Sequence, residues 1–422
     1  MKKFLLVIFL AAFAGLQAQD NFLSLKDCYR SAYENYPNAK QKDYYKSIND
    51  LKLKNLGVNY LPQISFKGQA TYQSEVTKLS IPLPTFKPEE LNKDQYKLTL
   101  DVRQLIYDGG STSSMKETES KQVLVDNQKV EVELFGLKSR INDLYFSVLL
   151  LQEKKRVNET VKRDLQDRIS EMESRIRNEV ATASSLYMLQ AQMIQTEEDI
   201  HSIETDRQSA LKMLGELTGT AIPEGVTLVK PETANPVYDN DFSNRPEYKL
   251  FALQKEQMNS YTDVVSTRIL PKLSAFGQAG YGRPGLNMLD NTFQPFYMVG
   301  LTLSWNPINW NSDNNEKQIY SVNSKIIDSQ KETFDKNLKV SLEKFKSEIG
   351  KYEDLIKKDE ELISLRDKIV GSVYSQMQNG TVTPTIYLTE LNNRTQSQIL
   401  LETHKVQLLQ AKINYQTAKG VY

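Results

Sequence analysis

The sequence predicts a mainly α-helical protein that is internally duplicated, with long coiled-coil-like helical hairpins and four short β-strands. Three observations lead to this fold class. A block of sequence recurs in the second half of the chain, heptad seams run through two long proline-free stretches, and four segments alternate apolar with polar residues. The repeat is far too long for a solenoid unit, so each copy represents half of one architecture.

The duplication is clearest in segments 61–72 and 270–281, where seven of the twelve aligned residues are identical at an offset of 209. Further matches at offsets of 203 and 201 pair Leu98–Leu100 with Leu301–Leu303, and Asn178, Thr182 and Gly219 with Asn379, Thr383 and Gly420. The offset shrinks only where a loop can shorten. The predicted organisation is a signal peptide at 1–18, a first repeat at 19–219, a linker or equatorial segment at 220–243 and a second repeat at 244–422.

The first 18 residues have the three parts of a secretory signal peptide. Lys2 and Lys3 form a basic start, residues 4–16 are apolar or small, and Ala18 supplies a small residue for cleavage. The apolar run is too short to cross a bilayer as a helix. Cys28 has no partner cysteine in the chain and is interpreted as a half-buried residue on a helix.

The composition argues against several function classes. Fifty-three basic residues balance 53 acidic ones, so the chain has no charge excess that would attract nucleic acid. The two histidines, His201 and His404, are interpreted as solvated helix positions rather than metal ligands. No phosphate-binding loop or nucleophile elbow occurs, so we expect neither an enzyme nor a cofactor.

Four segments alternate with a period of two, which is typical of strands that have one apolar face. They are residues 63–73, 96–102, 273–281 and 297–306. Aromatic residues lie near their ends, as in membrane β-barrel strands, although a soluble sandwich would alternate in the same way. Four strands are too few to close a barrel, whereas three chains would supply twelve.

Two long helices and two returning helices are predicted. Residues 111–178 contain no proline and correspond to roughly 100 Å of helix. The heptad spacing of a coiled-coil seam appears at Leu134, Leu137, Ile141, Leu144, Val148 and Leu151, and again at Leu342, Phe345, Ile349, Tyr352 and Ile356. Breaks at 178–185 and 379–385 precede returning helices at about 186–217 and 386–419, so each repeat contains a helical hairpin.

The doubled order of helix, Leu-Pro, strand, loop, strand and helical hairpin resembles the outer-membrane efflux protein family, the TolC-like exit ducts. The resemblance covers the chain after Ala18. It implies a homotrimer with a twelve-stranded barrel in outer-membrane lipid of a Gram-negative bacterium and a helical tunnel across the periplasm. It also implies two partners, a periplasmic adaptor and an inner-membrane pump, and passive efflux of small molecules. A type I protein-secretion duct of the same fold and a periplasmic coiled-coil structural or adaptor protein remain alternatives.

The resemblance places functional residues at the two hairpin turns. Docking of the adaptor is expected at Asn178, Val180, Thr182, Asn379, Gly380, Thr381, Val382 and Thr383. Members of the family carry aspartates at the start of the return helix, where this chain has Ser185 and Ile386, with Thr389 at a further aspartate position. A dense acidic ring is therefore not expected. The residues assigned to the aperture lining are Ser185, Ile386, Tyr387, Thr389 and Glu390.

Overall fold

The computed structural model describes residues 22–77, 91–233, 235–239 and 241–422. They form two compact units. The helical unit comprises the residues up to Gln41 together with Val130–Tyr248 and Glu332–Tyr422, and the strand unit comprises Lys42–Lys129 and Lys249–Lys331. Each sequence repeat contributes to both units. The predicted signal peptide and most of the proline-containing loop at 79–94 lie outside the described residues.

The elements follow nearly the same order twice along the chain, except that two helices precede the first pair of long strands and a single helix precedes the second pair. They are β1 (Phe22–Leu23), α1 (Leu25–Asn35), α2 (Gln41–Gly57), β2 (Gln63–Tyr72), β3 (Asp94–Tyr107), α3 (Ser111–Arg177), α4 (Ala183–Thr218), β4 (Thr227–Leu228), α5 (Pro246–Thr267), β5 (Lys272–Arg283), β6 (Gln294–Ser304), α6 (Ser312–Gln378) and α7 (Pro384–Lys419). The four long strands and the two helical hairpins confirm the predicted fold class. Strands β1 and β4 are a short parallel pair that sequence alternation does not reveal, because two residues show no period.

The four long strands form one antiparallel sheet in the order β2-β3-β5-β6. Strands β3 and β5, one from each repeat, lie side by side at its centre. One row across the sheet joins Ile64, Val102, Gly277 and Val299. Within the described part of the chain, β2 and β6 each pair on one side only, so the sheet has two open edges.

The predicted heptad seams are buried or half-buried in the helical unit. On α3, Leu137, Ile141 and Val148 are 5%, 1% and 0% exposed, and on α6, Leu342 and Ile349 are 7% and 2% exposed. Helices α3 and α6 have 67 residues each, and α4 and α7 have 36 each. Among the described residues, none of the helices combines the length and the apolar character that crossing a membrane requires.

The segment 220–243 between the repeats is fastened to the helices of the helical unit. The Tyr145 hydroxyl donates to the carbonyl oxygens of Leu23 and Val229 at 2.9 and 2.6 Å. Arg207, 7% exposed, donates to the carbonyl of Val226 at 3.1 Å. These bonds satisfy buried polar groups of a segment that has little secondary structure of its own. They also explain why Tyr145 is fully buried although it lies off the heptad seam.

Two residues differ from their sequence interpretation. His404 is not a solvated position: its Nδ1 lies 2.6 Å from Asp359 Oδ2, and its ring centroid lies 5.9 Å from that of Tyr352. Cys28 is 1% exposed rather than half-buried. Burial, together with the nearby Asp27 carboxylate, raises the pKa of the Cys28 thiol to about 12, so it stays protonated and unreactive.

Candidate functional site

One face of the sheet, called the outer face here, exposes a continuous set of apolar side chains. Phe66 on β2 is 77% exposed, and Tyr297, Val299 and Leu301 on β6 are 77%, 75% and 68% exposed. The register places Phe66, Leu100, Ala279 and Tyr297 in one row. A sheet of a soluble sandwich would bury this face against a second sheet, and none covers it in the described strand unit.

Aromatic residues lie towards both ends of the outer face. Tyr72 and Tyr281, 78% and 54% exposed, are at one end of the sheet, and Trp305, 60% exposed, follows β6 at the other. The Trp305 indole donates to the carbonyl of Ile269 at 2.9 Å. Bands of aromatic residues that flank an apolar zone are typical of strands that meet lipid, where the rings lie at the level of the headgroups.

The opposite face, called the inner face here, is polar in its β2 and β3 half. Asp101 accepts a hydrogen bond from Gln278 at 2.5 Å, and its carboxylate lies 3.1 Å from Lys67 Nζ. Thr99 beside them is 9% exposed. The β2 and β3 half of the sheet therefore has one apolar face and one hydrogen-bonded polar face, as a wall between lipid and water requires.

In the helical unit, the two hairpin turns share one backbone geometry. After α3, the N–H of Val180 donates to Arg175 O at 2.9 Å, and after α6, the N–H of Thr381 donates to Gln376 O at 3.0 Å. These bonds are the long bonds of a Schellman motif, which requires a left-handed residue one position earlier. Gly380 occupies that position with φ 73°.

Glu179 takes the same position in the first turn, with φ 59°. A side chain in the left-handed region costs roughly 1–2 kcal/mol relative to the right-handed one. The return helices begin at Ala183 and Pro384, three and two residues before the predicted starts, and neither the Thr182 nor the Thr383 side chain bonds the helix backbone. The two turns therefore follow the same backbone path, although the left-handed position is a glycine in the second turn and Glu179 in the first.

Next to the turns, all four long helices pack around one apolar cluster. Its buried members are Val161, Leu165, Met172, Leu189, Met377, Tyr387 and Leu391. Leu165 and Leu189 are both 0% exposed. We call this group the tip core. It joins the first hairpin to the second, so their ends move together unless the cluster separates.

A polar link beside the tip core connects the end of α3 to the end of α6. Glu171 accepts hydrogen bonds from the Tyr374 hydroxyl and from Gln378 Nε2, the latter at 2.6 Å. The Arg168 guanidinium lies 3.8 Å from the centroid of the Tyr374 ring. The hydrogen bond from Tyr374, together with the one from Gln378, lowers the pKa of the Glu171 carboxyl, and this effect is larger than the opposing effect of burial. Burial raises the pKa of Tyr374. We call these four residues the tip link.

The same arrangement of elements occurs in solved outer-membrane channels. VceC, the outer membrane protein of Vibrio cholerae, is 13% identical with a TM-score of 0.64, and the match covers 94% of this chain and 96% of VceC. CusC, whose structures concern folding and transmembrane channel formation, is 14% identical with a TM-score of 0.66 and coverage of 97% and 96%. The Campylobacter jejuni CmeC outer membrane channel is 13% identical with a TM-score of 0.63 and coverage of 94% and 85%.

The chain has the TolC-like fold. At these identities the similarity concerns the fold. No protein-family model matches the sequence. No curated protein matches it either.

Most of the residues predicted for the tip are exposed in this TolC-like chain. Asn178, Thr182, Asn379, Gly380, Thr381 and Thr383 are exposed, as is Val180 at 65%. Val382 is half-buried and packs against the tip core. Both asparagines donate from Nδ2 to a carbonyl four residues earlier, at 3.0 Å in each turn.

The residues assigned to the aperture separate into two groups. Ile386 and Thr389 are exposed, and Ser185 is half-buried. Tyr387 is 2% exposed, which corrects its assignment, because a side chain enclosed by the tip core cannot line a water-filled opening. Glu390 Oε2 lies 2.9 Å from Arg366 Nη1, so its charge is paired within the chain.

Proposed function

We propose that this chain is the protomer of a homotrimeric exit duct in the outer membrane of a Gram-negative bacterium. In this proposal the duct passively conducts small molecules from a periplasmic adaptor and an inner-membrane pump to the outside. The main support is the four-stranded sheet with an exposed apolar face and two open edges. Unpaired strand edges cost several kcal/mol per backbone group in lipid, so the edges need partners.

Two copies would close an eight-stranded barrel whose interior is filled by side chains, so three copies are the fewest that leave room for a lumen. Edge strand β6 of one protomer would pair with edge strand β2 of the next, and three protomers with four strands each give twelve strands. The aromatic bands would then form two belts, and the polar inner face would line the lumen. The TolC-like fold agrees with this assembly.

Native mass spectrometry of the detergent-extracted protein is expected to give a trimer as the main species. The physical reason is edge closure, since a monomer leaves both β2 and β6 open. Circular dichroism of the same sample would show that its strands are folded. A folded protein that stays monomeric across several detergents would contradict the duct function.

The hairpin turns are the proposed docking site for the adaptor. Their exposed side chains are small and polar, which leaves backbone groups accessible to a partner hairpin. The tip link and the tip core hold the turns together, so a partner that separates them would open the path between protomers. Movement of the hairpin ends is therefore the proposed gating step.

Cysteine variants Thr182→Cys and Thr383→Cys are expected to cross-link to the tip of the adaptor. Both positions are exposed and precede a return helix in equivalent places. Pro231→Cys in the segment between the repeats is the control, because it belongs to neither turn. Cross-links from the control alone would place docking away from the tips. Cys28 needs no removal, since it is 1% exposed.

A further inference from the structure

The inner face of the sheet has a half that is not polar. Strands β5 and β6 place Phe276, Phe296 and Met298 on the same face as Asp101. Met298 is 42% exposed, and the two rings are half-buried. In the proposed duct this face lines the lumen, where exposed apolar side chains are unexpected.

Glycines opposite the two rings give each ring a fixed place. Phe276 pairs with Gly300, and Phe296 pairs with Gly280. A Cβ added to Gly300 would lie 2.8 Å from the Phe276 ring, and one added to Gly280 would also overlap the Phe296 ring. Each ring therefore covers backbone that only glycine leaves open, while part of each ring stays exposed. This pairing of aromatic residue and glycine orders the rings.

Cations lie on the same face, and two of them, Arg103 and Lys67, share a row with Phe276 and Phe296 respectively. Inner-face positions of the four strands carry Lys67, Lys97, Arg103 and Lys272 against one acid, Asp101. Asp101 is paired with Lys67, whereas Arg103 is exposed and has no ion pair among the described residues. Arg103 is also the direct cross-strand partner of Phe276. Side chains in such pairs have Cβ atoms about 4.5–5.5 Å apart.

We infer that the inner face of the sheet favours the passage of aromatic solutes that carry a negative charge. The ring of such a solute would stack on Phe276 or Phe296 while its anionic group contacts Arg103 or Lys97. Three protomers would repeat this combination three times around the lumen. The inference rests on the proposed duct function and adds a substrate class to it.

Single-channel recording in planar bilayers tests the inference with three named probes. Naphthalene-2-sulfonate is expected to reduce the wild-type current at concentrations about threefold to tenfold lower than either methanesulfonate or naphthyl-trimethylammonium, because it alone has both the ring and the negative charge. Equal block by all three probes would overturn the inference. Open channels that none of the probes reduces would overturn it as well.

Variants locate the effect on the inner face. Phe276→Leu and Arg103→Gln are each expected to raise the concentration of naphthalene-2-sulfonate needed for block by about threefold or more. Phe66→Leu is the matched control for the ring, because Phe66 lies on the outer face of the same sheet. Block that is unchanged in both inner-face variants would overturn the inference while leaving the duct function intact. A folded wild-type trimer without any channel current would overturn the duct function itself.

Discussion

Leu301→Lys is expected to prevent assembly of the membrane-embedded trimer, whereas Thr302→Lys is expected to be tolerated. Leu301 is 68% exposed on the outer face of β6, which the proposed function places against lipid. A lysine near the middle of a bilayer costs about 2–4 kcal/mol, so three protomers together would lose roughly 6–12 kcal/mol. Thr302 is the next residue on the same strand and faces the opposite way, opposite Ser274.

The measurement is the yield of trimer after refolding into lipid vesicles, followed by heat-modifiable migration on a denaturing gel. Both variants add the same charge one residue apart, so general effects of lysine on solubility cancel. Equal yields for the two variants would show that the outer face does not meet lipid. A lower yield for Thr302→Lys than for Leu301→Lys would reverse the assignment of the two faces.

Much of the fold follows from local sequence patterns. The period-two alternation in 63–73 and 273–281 predicts strands because side chains of a strand point alternately to its two faces, whatever the rest of the chain does. The breaks before α4 and α7 follow from the small polar residues there and from Pro384, although the helices begin three and two residues before the predicted starts. The duplication supplied a second copy of each pattern and so a check on each.

The features that the sequence did not reveal depend on contacts between elements that are far apart in the chain. Tyr387 is polar enough to line an opening, yet Arg168 and Tyr374 from two other helices enclose it. Glu171 and Gln378 lie 207 positions apart, and no local pattern joins them. The contacts of the two inner-face rings could not be predicted either, because the glycine that each ring covers belongs to the neighbouring strand. A sequence signal did exist there: Phe276 and Phe296 interrupt the polar positions of their strands.

Glu171→Ala is expected to raise the open probability of the channel by roughly fivefold to 30-fold. The substitution removes the acceptor that Tyr374 and Gln378 share and the anion 3.5 Å from Arg168. Hydrogen bonds to a charged group contribute about 1.5–3 kcal/mol, and the partial exposure of Glu171 reduces the contribution of the link to roughly 1–2 kcal/mol. A shift of that size in a two-state equilibrium changes the population of the open state by the stated factor.

Glu173→Ala is the matched control, since Glu173 lies two residues away on α3, is exposed and loses the same charge. Single-channel recordings of both variants would separate the link from a general change in charge, and equal opening in the two would show that the link does not hold the hairpin ends.

The pH response gives an independent check. Tyr374 and Gln378 hold the pKa of Glu171 below its ordinary value against the opposing effect of burial. The hydrogen bonds of the tip link are therefore fully formed at a pH above the ordinary pKa of a glutamate, and they are lost as the pH falls through the lowered pKa of Glu171. Wild-type channels should open more often when the pH is below the lowered pKa of Glu171. Glu171→Ala channels lack the titrating group, so their opening should not change with pH in that range.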